Sequence, residues 1–83
     1  MTRQEIFSSL NEVFRDVFDE EDLTVDETTT AADVEGWDSF AHVNLVLSVE
    51  RRFNMKFTMV EVTDMKNVGA MVDILERRAA ADK

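Results

Sequence analysis

Gly36-Trp37-Asp38-Ser39-Phe40, with the run His42-Val43-Asn44-Leu45-Val46-Leu47 that follows it and Phe53-Asn54 at its close, decides the fold of this chain. Gly36 breaks the backbone and Asp38 has the short polar side chain favoured at a helix N-cap, which leaves Ser39 in the first helical turn. The helix is expected from Ser39 to about Phe53. Phe40, Val43, Val46, Leu47, Val49 and Phe53 give it a broad apolar face. Leu45 widens that face, so burial on more than one side is expected. Asn54 tolerates the left-handed conformation that ends helices and marks the stop.

Upstream, Ile6, Phe7, Leu10, Val13, Phe14, Val17 and Phe18 recur at helical spacing, one apolar stripe from about Thr2 to Phe18. Thr2 followed by Glu5 reads as a capping box. Residues 19–35 form a long connection rich in Asp, Glu and Thr, which Leu23, Val25 and Val34 are expected to pin to the core. Its cluster Asp19-Glu20-Glu21-Asp22 invites a calcium reading. It lacks the alternating ligands, central Gly and final Glu of an EF-hand loop, and a solvated acidic loop is the better account. Downstream, Met55 and Phe57 anchor a connection. Thr58 to Asp64 forms a short helix in this reading, although β-branched Thr58, Val60, Val62 and Thr63 favour a competing strand. Asn67 caps a last helix with Val68, Met71, Val72, Leu75 and Ala79 on one face, and Arg77 and Arg78 in the final turns complement its dipole. The expectation is all-α: three substantial helices, one short one, no sheet.

Composition agrees with one domain over residues 1–83. The chain has no cysteine for a disulfide or Cys-based metal site, no proline and two glycines, while hydrophobic residues make up 45 %, six Phe and five Met among them. A net charge of −9 argues against nucleic acid and anionic membrane surfaces as partners, and for basic patches on other proteins. No apolar run reaches the roughly 18 residues of a membrane span. Met1-Thr2-Arg3-Gln4-Glu5 lacks the apolar core of a signal peptide, so a complete gene product in the cytoplasm is expected.

Catalytic machinery is thin. There is one His, no Cys and no Tyr. His42 stands three residues after Ser39, but neighbours on one helix face project side by side, and no third residue is evidently placed to orient the imidazole. His42 reads as a surface residue. No glycine-rich phosphate loop or zinc-ligand spacing exists. Ser39 is a small hydroxyl at a helix start, where backbone N–H groups favour a phosphate. By itself that reads first as an ordinary Asp-Ser helix beginning.

The ordered stretch from Leu23 to Leu75 carries more. Leu23-Thr24-Val25-Asp26, then Asp33-Val34-Glu35-Gly36-Trp37-Asp38-Ser39-Phe40, Val43-Asn44-Leu45-Val46, Glu50-Arg51-Arg52-Phe53, Phe57 and Lys66-Asn67-Val68 together resemble the acyl carrier protein family. The resemblance implies a four-helix bundle with a short third helix and a 4'-phosphopantetheine arm carried on Ser39. A magnesium-dependent phosphopantetheinyl transferase would install the arm from coenzyme A. Its thiol, which this chain lacks, would hold acyl groups as thioesters for acyl-loading and acyl-processing enzymes, with a monomer as the default state. Asp38 would cap the helix and meet the transferase. Phe40, Asn44 and Glu50 would contact partners, and Val43, Leu47, Met59 and Val62, with Phe53, are candidates to line an acyl cleft. Core packing is the competing role for these five.

Three departures narrow the expectation. Phe40 stands for the usual Leu, Asn44 for the Glu typical of fatty-acid carriers, and Arg51 and Arg52 for acids. Together with the Gly-Trp-Asp-Ser form they suggest a specialised biosynthetic pathway. A stand-alone aminoacyl or peptidyl carrier is the nearest rival, although peptidyl carriers tend to have Gly-Gly-His-Ser at this site. A non-carrier acidic helical interaction module is the alternative from another class.

Overall fold

Each helix starts where a local cap supplies acceptors for its first free N–H groups. The computed structural model describes residues 2–81, with side chains to residue 78. The expected place of Ala79 on the buried face of the last helix lies outside that range. Helix α1 runs Arg3–Phe18. Thr2 Oγ1 accepts the Glu5 N–H at 3.1 Å while Glu5 Oε1 accepts the Thr2 N–H at 2.7 Å, a complete capping box. Asp19, left-handed at φ 53°, ends the helix. Helix α2 runs Ser39–Phe53, with Asp38 Oδ1 accepting the Ala41 N–H at 2.8 Å and Asn54 at φ 53° as the stop. Helix α3, Met59–Asp64, forms despite its β-branched residues because Thr58 and Glu61 build a second capping box. The competing strand is thereby overturned. Helix α4 runs Val68–Ala81, its start held by Asn67 Oδ1 on the Ala70 N–H.

The core gathers one face of each long helix: Ile6, Leu10, Val13 and Phe14 of α1, Leu45, Val46, Val49 and Phe53 of α2, and Val68, Met71, Val72, Ile74 and Leu75 of α4. Helix α1 lies against both α2 and α4. The broad burial expected for α2 is corrected here. With 3.6 residues per turn, positions 45, 46, 49 and 53 fall together, and 40, 43, 44, 47 and 51 lie on the other side, exposed.

The long connection is held as its apolar residues suggested, with Val25 and Val34 buried and Leu23 partly so. Polar contacts add to this. Asn11 Oδ1 accepts the Val25 N–H at 2.7 Å, and Arg15 Nε donates to the Leu23 carbonyl at 2.8 Å. Asp26 Oδ1 accepts from the Thr28 N–H and from both the Thr28 and Thr29 hydroxyls. The Thr28 contacts, then Thr29, hold the Asp26 carboxyl below its ordinary value. Arg3 reaches Glu27, Asp73 and Glu76 and ties α1, the connection and α4 together.

A close join lies at the start of α4. Val68 N–H donates to the Thr29 carbonyl at 2.8 Å and Gly69 N–H to the Glu27 carbonyl at 3.0 Å, so the orphan donors of a helix N-terminus are satisfied by the connection. A Cβ on Gly69 would stand 2.7 Å from the Glu27 oxygen, which is why glycine sits there. At the far end Arg78 donates to the Lys56 carbonyl at 2.5 Å and pairs with Glu61 at 2.7 Å, fastening α3 to α4 in addition to any dipole role. No helix among the described residues is long and apolar enough to cross a membrane.

Candidate functional site

Ser39 is the first residue of α2 and is exposed. Its position follows from its neighbours. Gly36 adopts φ 89°, a left-handed conformation that side chains disfavour, and the chain turns there into Trp37. Trp37 is drawn inward: its ring meets Phe14 edge-on at 5.3 Å between centroids and lies 6.0 Å from Phe18. Asp38 then caps α2, and Ser39 follows with its hydroxyl toward solvent rather than the core.

A buried indole N–H needs a partner. Trp37 Nε1 finds it in His42 Nδ1 at 3.1 Å, and the two rings stack at 6.0 Å and 21°. His42 Nε2 lies 3.4 Å from the Val62 carbonyl on α3. Since Nδ1 accepts, the imidazole proton sits on Nε2 and points at Val62. The expectation of a surface histidine is therefore corrected: His42 is half-buried and links the turn, α2 and α3. Both ring nitrogens are engaged by Trp37 and Val62 rather than by Ser39, so the Ser-His pair a hydrolase would need is not formed.

Beside Ser39 lies a groove of about 510 Å³ between the start of α2, α3 and the α3–α4 connection. Trp37, Val62, Met65 and Met71 form its apolar wall, and Asp38, His42, Thr63, Lys66 and Asn67 its polar one. Ser39 stands among the lining residues. The remaining sequence-predicted residues are dispersed. Phe40 is 74 % exposed, Val43 56 % and Leu47 50 %, a stripe on the outer face of α2 with Asn44 beside it and Arg51 at its end. Met59 is exposed on α3, and Phe53 belongs to the core. Of the expected acyl-cleft set only Val62 reaches the groove. Glu50 turns inward, where its Oε2 accepts the Phe57 N–H at 2.7 Å, and Arg52 pairs with Glu12 of α1.

Sequence reasoning missed the Trp37–His42 link and the place of Lys66. The first had a signal, since the chain's one indole had to find an acceptor and its one imidazole stood five residues on.

Comparison with known proteins identifies the family and the fold. Residues 8–75 match the family model described as the phosphopantetheine attachment site. An acyl carrier protein of Coprothermobacter proteolyticus is 35 % identical over 78 residues, covering 92 % of this chain and 93 % of that one. The solution NMR structure of the holo acyl carrier protein from Geobacter metallireducens superposes with a TM-score of 0.85 at 34 % identity, covering 92 % of this chain and 87 % of that one. The superposition covers the helical frame described above. The chain belongs to the acyl carrier protein family: it is a carrier with a phosphopantetheine attachment site, and not itself an enzyme.

Proposed function

We propose that Ser39 is the residue to which the phosphopantetheine arm is attached, and that the protein serves a specialised biosynthetic pathway. The observation that carries the assignment is Ser39 itself, exposed at the first position of α2 and on the lip of the groove. Its surroundings fit a phosphodiester. The unpaired N–H groups of the first turn of α2 offer positive potential, and among the described residues Lys66, on the same groove, has no salt-bridge partner. When bound, the arm supplies the thiol on which acyl groups ride as thioesters. Ser39 contributes its hydroxyl oxygen to the bond with phosphorus, and Asp38 fixes the helix start that presents it.

The outer stripe of α2 supports a dedicated set of partners. Phe40, Val43, Asn44 and Leu47 carry no charge, and Arg51 ends the stripe with a cation, although the chain as a whole is at −9. The transferase and the acyl-handling enzymes would meet Phe40 and Asn44 there. In this reading the carrier works as a monomer in the cytoplasm, its single domain spanning residues 1–83.

Incubation with a fluorescent coenzyme A and a broad-specificity transferase is expected to label the wild type and leave Ser39→Ala dark. Equal labelling of both would displace the site from Ser39. The pathway is tested separately: efficient rescue of a strain lacking its fatty-acid carrier would contradict the specialised assignment.

A further inference from the structure

We infer that His42 is a positioning residue for the modification of Ser39: through Trp37 it holds the turn that presents the serine hydroxyl to the transferase. This rests on the attachment at Ser39 proposed above. In that transfer the Ser39 oxygen bonds to the phosphorus that carries the pantetheine end of coenzyme A. The diphosphate bond breaks, the nucleotide half leaves as adenosine bisphosphate, and the transferase takes the hydroxyl proton. What the carrier contributes is the place of the oxygen.

The two residues before Ser39 are held by the two that follow Phe40. Asp38 Oδ1 accepts the Ala41 N–H at 2.8 Å, and the Asp38 carbonyl accepts the His42 N–H at 2.9 Å. The Trp37 indole donates to His42 Nδ1 at 3.1 Å. These bonds close a ring around Ser39, whose own side chain makes no hydrogen bond among the described residues. The two bonds to Asp38 belong to any capped helix start; the indole bond does not. It acts against the freedom of Gly36. At φ 89° that residue would leave an added Cβ 4.0 Å from its nearest neighbour, so packing does not restrain the approach to Trp37. Trp37 rests on Phe14 and Phe18, but ring packing tolerates a range of tilts, whereas a hydrogen bond fixes the indole's direction. His42 is held in turn, its Nε2 lying 3.4 Å from the Val62 carbonyl, so the ring is anchored to α1 on one side and α3 on the other. With both nitrogens engaged, His42 acts by its place and not as a base.

The apo protein is modified with coenzyme A and a broad-specificity transferase, and initial rates against carrier concentration give kcat and KM. Circular dichroism verifies that each variant is folded at the assay temperature. Loosening the turn lowers the share of molecules that present Ser39, which raises KM and leaves kcat unchanged. A purely structural role would lower the melting temperature and leave KM where it was. His42→Ala and Trp37→Phe are each expected to raise KM by up to about fivefold, the worth of one neutral hydrogen bond. The double variant is expected to raise it no further, because the two residues share one bond. His42→Asn keeps an acceptor oxygen where Nδ1 stood and gives up the reach to Val62, and is expected to return KM to within about twofold of the wild type.

An unchanged KM in both single variants, or a rise that His42→Asn does not relieve, overturns the positioning role and leaves Ser39 as the attachment site. Additive effects of the two substitutions overturn it equally. Modification of Ser39→Ala at the wild-type rate removes the attachment reading, and the positioning role with it.

Discussion

Replacing Gly69 by alanine sets two physical effects against each other, and the structure decides the sign. Alanine is worth about 1 kcal/mol over glycine inside a helix, so propensity alone predicts a more stable protein. Gly69, however, lies in the first turn of α4 against the connection, and a Cβ there would stand 2.7 Å from the backbone oxygen of Glu27. That oxygen cannot swing aside as a side chain would, because it accepts the Gly69 N–H at 3.0 Å. Relief requires α4 and the connection to part. The movement strains the Gly69 bond and its neighbour, Val68 N–H to the Thr29 carbonyl at 2.8 Å. Overpacking costs about 1–3 kcal/mol, and each backbone bond lost adds about 0.5–1.5 kcal/mol. Against a gain of about 1 kcal/mol, the net is a destabilisation of about 2 kcal/mol. For a chain this size that is a fall of roughly 10 °C in melting temperature. Urea and thermal unfolding followed by far-ultraviolet circular dichroism would measure it. A Gly69→Ala protein as stable as the wild type, or more so, would refute the reasoning.

Three further substitutions probe other joins. Trp37→Phe removes the indole N–H and leaves His42 Nδ1 without its donor, while the aromatic contact with Phe14 is partly kept, so urea unfolding should report a loss of about 1–2 kcal/mol; no loss would deny the Trp37–His42 link a structural role. Asp26→Asn tests the turn in the connection. The folded carboxyl lies below its ordinary value, so its contribution is full above that value and is lost as pH falls through the folded one. The wild type should therefore lose stability relative to Asp26→Asn on acidification below about pH 4, and parallel stability curves would contradict this. Phe40→Ala, at a side chain 74 % exposed, should leave stability within about 0.5 kcal/mol while raising KM for the transferase; an unchanged KM would remove Phe40 from the partner surface.

The helix boundaries were legible because caps are local. Thr2 with Glu5, Asp38, and Asn54 each act within a few residues of the end they define, so sequence spacing was enough. The third helix was legible only in part, since the β-branched residues pulled toward a strand while Thr58 and Glu61, also in plain view, settled it. Which side of α2 is buried was not legible. Apolar residues occupy much of its circumference, and packing against α1 determines that Leu45, Val46, Val49 and Phe53 turn inward while Phe40, Val43 and Leu47 stay outside. For the same reason the sequence did not reveal that Val43, Leu47 and Met59 are exposed while Val62 lines the groove beside Ser39.

The site divides in the same manner. Ser39 after Asp38 could be read from four adjacent residues and the ordered resemblance around them. The carbonyl facing His42 comes from Val62, twenty residues on, and the contact that requires Gly69 comes from Glu27 on the connection. No local pattern announces such pairings. Glu50 adds a further case: nothing local to this acid near the end of α2 announces the Phe57 N–H that it accepts.

Intact mass spectrometry after incubation with coenzyme A, magnesium and a broad-specificity transferase tests the central claim most directly. The account predicts a gain of one phosphopantetheinyl equivalent, mapped by peptide fragmentation to Ser39 and absent from Ser39→Ala. No gain, or a gain that survives Ser39→Ala, would contradict it.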